Sequence, residues 1–151
     1  MPVEPIPKRL HTITPHLTVP NIPKLIQFLE KAFDAKLNYP PMTWPDGKIL
    51  HAEMKIGDSA IMMGEPMVDG QTMPGDIHIY VPDTDTTYKR AIEAGATSLF
   101  PPANQFYGDR GAAVKDPCGN LWWIATHIED VPPEELKKRA DAFMKQCSPK
   151  K

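Results

Sequence analysis

The sequence predicts an α+β protein made of two tandem βαβββ modules whose sheets form a cup. A short stretch, HLTVPN at residues 16–21, recurs in similar form as HIYVPD at residues 78–83. Each copy leads into apolar residues at helical spacing and then into three runs of strand-forming residues separated by turn residues. A sheet whose helix covers one face must also bury its other face if that face is apolar. The two modules are therefore expected to join around a binding space.

The first module is predicted over residues 12–66. Its first strand stops at Pro20, which cannot donate to a strand ladder, and Asn21 then stands at a turn or helix N-cap position. A helix is indicated by apolar residues three and four positions apart, namely Leu25, Phe28, Leu29, Ala32 and Phe33. Three antiparallel strands are expected next, KLNYPPMTW, ILHAEMKI and AIMMG, linked by the turns PDG and GDS.

The second module is predicted over residues 76–130. Pro82 and Asp83 repeat the strand end and the cap position. Helical spacing recurs at Tyr88, Ala91, Ile92 and Gly95. The strands TSLFPP, GAAVK and LWWIATH follow, with the loop QFYGDR and the turn DPCGN between them.

The remaining segments flank or join the modules. Residues 1–11 are an N-terminal extension, residues 67–75 a linker, and residues 131–151 a C-terminal amphipathic helix and tail. The helix is predicted from a Pro-Glu-Glu start and from Leu136, Ala140, Phe143 or Met144, and Cys147 at helical spacing. Its polar face mixes acidic and basic residues, which favours packing on the module or on a partner subunit over membrane binding.

Composition excludes several classes of function. The formal net charge is −2, without the basic surface that a nucleic-acid-binding protein needs. Apolar runs such as LWWIA are too short to span a bilayer, and the N-terminus lacks a signal-peptide core, so we expect a cytoplasmic protein with no membrane partner. The two cysteines, Cys118 and Cys147, form no disulfide framework or metal knuckle.

The duplicated pattern and three longer motifs resemble a known family. The motifs HAEMKIGDSAIMM, QFYGDR and DPCGNLWWIATHIEDVPPEE are similar to those of the glyoxalase, bleomycin-resistance and extradiol-dioxygenase superfamily, also called vicinal oxygen chelate, and within it to the PhnB-like branch. The resemblance covers about residues 12–136. It implies paired modules that form a cup around a small organic ligand, commonly in a homodimer, and it does not by itself imply a reaction.

The resemblance also identifies where metal-using members place their ligands, which come from the first and last strand of each half. Carried over to this chain, those positions are Thr14, Met62 (or Met63 after a one-residue slip), Asp76 and Trp123. Only Asp76 is a metal-ligating type, and one carboxylate cannot replace the hydration shell of a divalent ion. We therefore expect no metal cofactor. A relocated divalent-metal site of His16, His78 and Asp76 is the less favoured alternative to histidines that are satisfied within their strands or half exposed at the rim.

A candidate acid and base pair lies in ILHAEMKI. Strand alternation turns His51 and Glu53 to the face opposite the apolar residues Leu50, Ala52, Met54 and Ile56. Glu53 could set the tautomer of His51 and raise its pKa, which would suit proton transfer near neutral pH. The alternative is a solvated outer strand with an ordinary charge pair.

The loop QFYGDR and the tryptophan pair supply further candidates. Tyr107 can form an aromatic wall and Arg110 can hold a carboxylate or phosphate, although the same loop could serve to fasten the module interface. Trp122 and Trp123 are adjacent in a strand and must point to opposite faces, with Trp123 expected in the cup. The predicted ligand-binding residues are thus His16, Asp76, His78, Tyr107, Arg110 and Trp123.

Two function classes follow from these residues. The first is a binding protein, like the bleomycin-resistance members, that holds a small organic molecule in an apolar, metal-free cup. The second is an enzyme: either a metal-independent isomerase, lyase or transferase using His51 with Glu53 or His78 with Asp76, or a metal-dependent glyoxalase-like lyase with relocated ligands. In both cases a homodimer is the expected assembly.

Overall fold

The computed structural model describes residues 2–147 and places three α-helices and two mixed β-sheets in that range. The predicted α+β class with two βαβββ units is confirmed. Both sheets have the same construction: the first strand of the unit lies at one edge, parallel to the last strand, and the other strands are antiparallel.

The first unit contains β1 (His16–Thr18), α1 (Ile22–Phe33), β2 (Lys36–Leu37), β3 (Met42–Thr43), β4 (Ile49–Ile56) and β5 (Ser59–Gly64). Its strand order is β1-β5-β4-β2, and β3 also pairs with β4. The second unit contains β6 (Asp76–Tyr80), α2 (Thr84–Glu93), β7 (Thr97–Asn104), β8 (Asp109–Lys115) and β9 (Leu121–His127), in the order β6-β9-β8-β7.

The helix-covered faces of the two sheets share one core. Helices α1 and α2 contact each other. The centroid of the Phe33 ring in α1 lies 4.9 Å from that of the Trp122 ring in β9. Buried residues of both units belong to a single cluster that includes Leu17, Leu25, Met54, Trp122 and Ile124. The opposite, open face of each sheet therefore points away from this core.

Prolines explain where strand prediction and structure differ. The run KLNYPPMTW forms two short strands, β2 and β3, and not one continuous strand, because Pro40 and Pro41 between them have no N–H to donate. In the second unit β7 continues through Pro101 and Pro102, where its register with β8 shifts. This strand is at the sheet edge, the position at which proline is tolerated.

The two helix starts also differ. Asp83 caps α2 through a side-chain oxygen that accepts from the Thr86 N–H at 3.2 Å. Asn21 caps α1 in a left-handed conformation without a side-chain hydrogen bond. The predicted apolar stripe of α2 is only partly correct, because Ile92 is exposed and the buried residues are Thr84, Thr87 and Ala91.

The third helix, α3 (Pro133–Cys147), follows the second unit and has no buried residue. Its Phe143 ring packs on Phe106, with 4.9 Å between the centroids. No helix between residues 2 and 147 is long and apolar enough to cross a membrane. The rest of the predicted tail, residues 148–151, lies outside the described range.

Candidate functional site

The open face of the first sheet carries a buried carboxylate. Glu53 is fully buried although it stands on β4 among side chains that face away from the core. Its Oε2 atom accepts from Arg9 Nε and from Asn38 Nδ2, each at 2.7 Å. Its Oε1 atom accepts from Arg9 Nη2 at 3.3 Å and from the Tyr39 hydroxyl at 3.5 Å. Hydrogen bonding from Arg9 holds the pKa of Glu53 below its usual range, so the group is an anion at neutral pH.

Two histidines extend this face. The rings of His16 on β1 and His51 on β4 lie 5.9 Å apart, and Tyr39 stacks on His51 at 6.4 Å. Partial burial, together with His51, lowers the pKa of His16. The structure therefore brings His16, His51 and Glu53 to one face. No hydrogen bond joins His51 to Glu53 among the described residues, since the described partners of Glu53 are Arg9, Asn38 and Tyr39.

The open face of the second sheet is an aromatic surface. Trp123 is 37% exposed and stacks on Phe100, with 5.9 Å between centroids and 17° between ring planes. The indole Nε1 of Trp123 donates to Asp76 Oδ1 at 2.7 Å, which fixes the ring orientation. His78 pairs in register with Trp123, and its ring lies 4.9 Å from that of Tyr80. Asp76, His78 and Trp123 thus share this face.

A hydrogen-bonded chain borders the aromatic surface. Asp109 is buried and accepts from the Tyr80 hydroxyl at 2.8 Å, while its other oxygen lies 2.9 Å from His127 Nδ1. The second ring nitrogen, Nε2, lies 2.7 Å from Asp130 Oδ1. Hydrogen bonds to Asp130 and Asp109 raise the pKa of His127, because both carboxylates favour the imidazolium. The bond to Asp109 raises the pKa of Tyr80.

β1 and β6 are edge strands of their sheets, and a groove of about 590 Å³ between the two units is lined by β6, by the first residues of β5 and by the residues just before β1. The groove is bordered by the residues just before β1, among them Ile13 and Thr14, by the β4–β5 turn and by His78 and Tyr80. Neither sheet continues beyond these edges in the described chain, apart from a bridge between Thr18 and Met73. The groove is therefore lined by one edge strand, β6.

The loop QFYGDR was predicted either to bind ligand or to fasten the module interface, and the contacts of Arg110 bear on this choice. Arg110 forms a bidentate ion pair with Asp85 of α2, at 2.6 Å and 2.9 Å, and also donates to Asn104. Its neighbours Asp109 and Gly111 alternate to the open face, so Arg110 lies on the helix side of the sheet. Both oxygens of Asp85 occupy the donors with which Arg110 would bind a ligand carboxylate. These contacts favour the fastening interpretation over a ligand role for Arg110.

The other end of the loop holds the C-terminal helix. The Phe106 carbonyl accepts from Arg139 Nη1 at 3.3 Å, and Gly108 accepts at its carbonyl from the Ile128 and Glu129 N–H groups. Tyr107, 41% exposed, packs edge-on against Phe106. Burial raises the pKa of the Tyr107 hydroxyl. The loop thus joins the second sheet to α3.

The positions that the family resemblance assigns to metal ligands do not provide a ligand set here. Met62 pairs with His16 in register, and Trp123 with His78, so thioether and indole groups stand on the last strands. Asp76 already accepts a hydrogen bond from Trp123. Within residues 2–147 no group of three or more His, Cys, Asp or Glu side chains is placed to hold a metal ion. The donor set does not fit a divalent cation.

Sequence reasoning did not identify Arg9, Tyr80, Phe100 or Asp109 as site residues. Tyr80 could have been found, because strand alternation puts it on the same face as Asp76 and His78. No sequence motif marked Arg9 as a site residue, because it reaches Glu53 from an extension 44 positions away in the sequence. Pairing over such a distance is set by tertiary structure.

Comparison with known proteins places this geometry in a family. The family model described as Glyoxalase/Bleomycin resistance protein/Dioxygenase superfamily matches residues 9–124. An uncharacterized protein of Mycobacterium bovis is 33% identical over 136 residues, which is 83% of this chain and 89% of that protein. A Mycobacterium tuberculosis relative has the same identity and covers the same share of this chain, with 79% of its own length matched.

Solved structures share the fold. TioX from Micromonospora sp. ML1 superposes with a TM-score of 0.65 at 22% identity, over 78% of this chain and 99% of that chain. A PhnB protein from Bacillus cereus, described as a putative 3-demethylubiquinone-9 3-methyltransferase, superposes with a TM-score of 0.63 at 14% identity, over 77% and 99% of the two chains. At these identities the likeness concerns the fold alone.

Proposed function

Since the chain belongs to the glyoxalase/bleomycin resistance/dioxygenase superfamily, we propose that it binds a small organic molecule with a flat apolar ring, without a bound metal, in a cup that a second copy of the chain completes. Family membership supports small-molecule binding in general. The aromatic surface of the second sheet supports a ligand with a flat apolar ring.

The observation that carries the proposal is the fixed, exposed Trp123 ring. A large aromatic side chain exposed on a sheet face is available for stacking, and the Asp76 hydrogen bond holds it ready without further ordering. Phe100 stacks on this ring and adds to the aromatic surface. Stacking of a planar ligand on such a surface contributes roughly 0.5–1.5 kcal/mol beyond burial of its area.

Metal-independent binding is supported by the chemistry of the ligand positions. A thioether at Met62 and an indole at Trp123 stand where hard or borderline cations need imidazole or carboxylate. The residues in these positions supply apolar wall instead. No step through a metal is proposed.

A second copy is favoured because the open faces point away from the shared core of one chain. The chain exposes 10156 Å², whereas a folded monomer of this mass exposes about 7,700 Å². The exposed extension, residues 2–9, and α3, which has no buried residue, contribute to this excess. Pairing of two chains would cover both open faces.

A second candidate function, a metal-independent isomerase, lyase or transferase, is favoured by one observation. His16 and His51 lie side by side on the open face of the first sheet, and the lowered pKa of His16 keeps it neutral and able to accept a proton. A ligand that reached from Trp123 to this pair would bring a reactive group to a base. Turnover that is lost in His16→Gln but kept in Trp44→Phe, a conservative change of an exposed aromatic residue directly after β3, would identify this function.

The binding function is tested by a screen of aromatic acids, amides and amines that follows thermal stability and tryptophan fluorescence. Ligand binding to the folded chain raises the midpoint by mass action, and the shift should persist after dialysis against EDTA. Trp123→Ala should abolish the shift and Asp76→Ala should reduce it, while Asp76→Asn, which keeps an acceptor oxygen, should retain most of it. Equal shifts in all variants, or a shift that requires added metal, would contradict the proposal.

A further inference from the structure

The Glu53 site has the components that recognise a planar cation. A carboxylate, a side-chain amide and an aromatic ring converge there: Glu53 faces Arg9 with both oxygens, Asn38 fixes one of those oxygens, and Arg9 Cζ lies 5.7 Å from the centre of the Tyr39 ring. Arg9 and Glu53 form a bidentate pair, in which two guanidinium nitrogens donate to the two carboxylate oxygens. This is the strongest arrangement of an arginine and a carboxylate. The ring adds a cation–π contribution.

The group that fills this site comes from a weakly attached segment. Arg9 keeps 50% of its side chain exposed, while Glu53 is fully buried. Residues 2–9 are all exposed, and the one backbone hydrogen bond described for them is local, from Leu10 N–H to the Pro7 carbonyl. The ion pair with Glu53 is thus the main described contact that holds the extension on the sheet.

Glu53 is an anion whose cationic partner, Arg9, lies on a removable segment. Without Arg9 the carboxylate still accepts from Asn38 and Tyr39, and it keeps its attraction for a positive group that reaches the open face. Nothing in the geometry of Glu53, Asn38 and Tyr39 restricts that group to Arg9. Any guanidinium, amidinium or ammonium that reaches the open face meets the same partners.

We infer that Glu53, Asn38 and Tyr39 form a receptor for a cationic group on the open face of the first unit, which Arg9 occupies in the free chain and which a cationic ligand takes by displacing the N-terminal extension. The inference rests on the proposed function and deepens it, because it names a charged group that the ligand carries. The stacked rings of Tyr39 and His51 provide a surface along which the rest of the ligand can extend from the receptor over the open face.

Occupation by Arg9 has a measurable consequence. While Arg9 occupies the receptor, an external cation cannot bind. The apparent affinity for that cation is therefore the intrinsic affinity multiplied by the fraction of chains in which Arg9 has left the receptor. Benzamidine, which joins an amidinium to a flat ring, is a suitable probe, and benzamide is its neutral counterpart. Arg9→Gln should bind benzamidine about tenfold or more tightly than the wild-type chain in calorimetry, with little change for benzamide.

Two further variants define the result. Arg90→Gln removes a similar bidentate ion pair, with Asp34 on the helix side, and should bind benzamidine as the wild type does. Adding Glu53→Gln to Arg9→Gln should remove the gain. Equal benzamidine affinity in wild type, Arg9→Gln and the double variant would overturn the inference.

Chemical rescue covers the case in which Arg9→Gln folds poorly. Methylguanidinium should restore its unfolding midpoint at millimolar concentration, and equal concentrations of tetramethylammonium, which cannot donate hydrogen bonds, should not. A variant that both salts affect alike would count against the receptor. Loss of the cation effect while neutral aromatic ligands still bind through Trp123 would refute this inference and leave the proposed function standing.

Discussion

Asp76 Oδ1 accepts the indole N–H of Trp123 at 2.7 Å, whereas the neighbouring Trp122 donates its N–H to buried Asp116 at 2.9 Å. Two adjacent tryptophans thus have the same kind of partner on opposite faces of β9. Trp122 is 1% exposed and belongs to the core, while Trp123 stands on the open face. One hydrogen bond serves the fold and the other is available to position a ligand surface.

The same substitution at these two positions should separate stability from binding. Trp122→Phe removes a donor from Asp116 and leaves a gap beside Phe33, so we expect a loss of about 2–4 kcal/mol in the free energy of unfolding. Trp123→Phe should change that free energy by about 0.5 kcal/mol or less, because the ring is partly exposed. Urea unfolding followed by circular dichroism measures both. A larger loss at Trp123 would contradict the assignment of faces.

Residues 128–147, the C-terminal extension, are attached to the second unit at Gly108, where there is no room for a side chain. Gly108 has φ +98°, and an added Cβ would collide with the Glu129 carbonyl oxygen. Gly47 has nearly the same φ, +92°, but nothing lies near its added Cβ. Both changes to alanine cost about 1–2 kcal/mol for the left-handed conformation.

Gly108→Ala should therefore cost more than Gly47→Ala by the energy of the collision and should release residues 128–147 from the second unit. Limited proteolysis and urea unfolding of the two variants test this expectation. The expectation fails if the two variants have equal stability and equal protease resistance in the C-terminal helix.

The units themselves follow from the sequence because local chemistry specifies them. Pro20 with Asn21 and Pro82 with Asp83 end a strand and start a helix in both copies, which requires only local backbone preferences. The open-face positions of His51, Glu53 and Trp123 follow from strand alternation once the apolar face is known. These features depend on near neighbours, so a single sequence reveals them.

The contacts of the site were less predictable because distant segments form them. Arg9 reaches Glu53 across 44 positions, and Arg110 is taken up by Asp85 across 25 positions. Composition and spacing indicate that an arginine can bind a carboxylate, but not which carboxylate it meets. For this reason the sequence left open whether Arg110 binds a ligand or fastens the loop, and it gave no sign that the N-terminal extension covers Glu53.

His127 gives the chain a pH-dependent attachment of its C-terminal extension. The hydrogen bonds that His127 donates to Asp130 and Asp109 raise its pKa in the folded chain above its unfolded value of about 6.5. The stabilisation is fully present below that unfolded value and is lost as the pH rises through the folded pKa. The urea midpoint of the wild type should therefore exceed that of His127→Gln most at acidic pH, and the difference should shrink towards pH 9.

His11→Gln serves as the control for the change of residue type at an exposed position outside both sheets. Its midpoint, measured over the same pH range, shows what the loss of an exposed imidazole does without the two carboxylate partners. A constant difference between wild type and His127→Gln over the whole range would show that the two carboxylates do not favour the charged ring.

The last prediction concerns the open strand edges. β6 is an edge strand that lines the groove, and an unpaired strand edge is ready to pair with another chain. Ile13 borders this groove and is 84% exposed, while Val3, 92% exposed, lies in the extension away from it. A two-fold homodimer that buries at least ~1,000 Å² is expected to cover Ile13. Sedimentation at low micromolar concentration should then give about twice 16.9 kDa for the wild type and for Val3→Asp, and the monomer mass for Ile13→Asp. A wild-type chain that sediments as a monomer would rule out the dimer, and both open faces would then stay uncovered in solution.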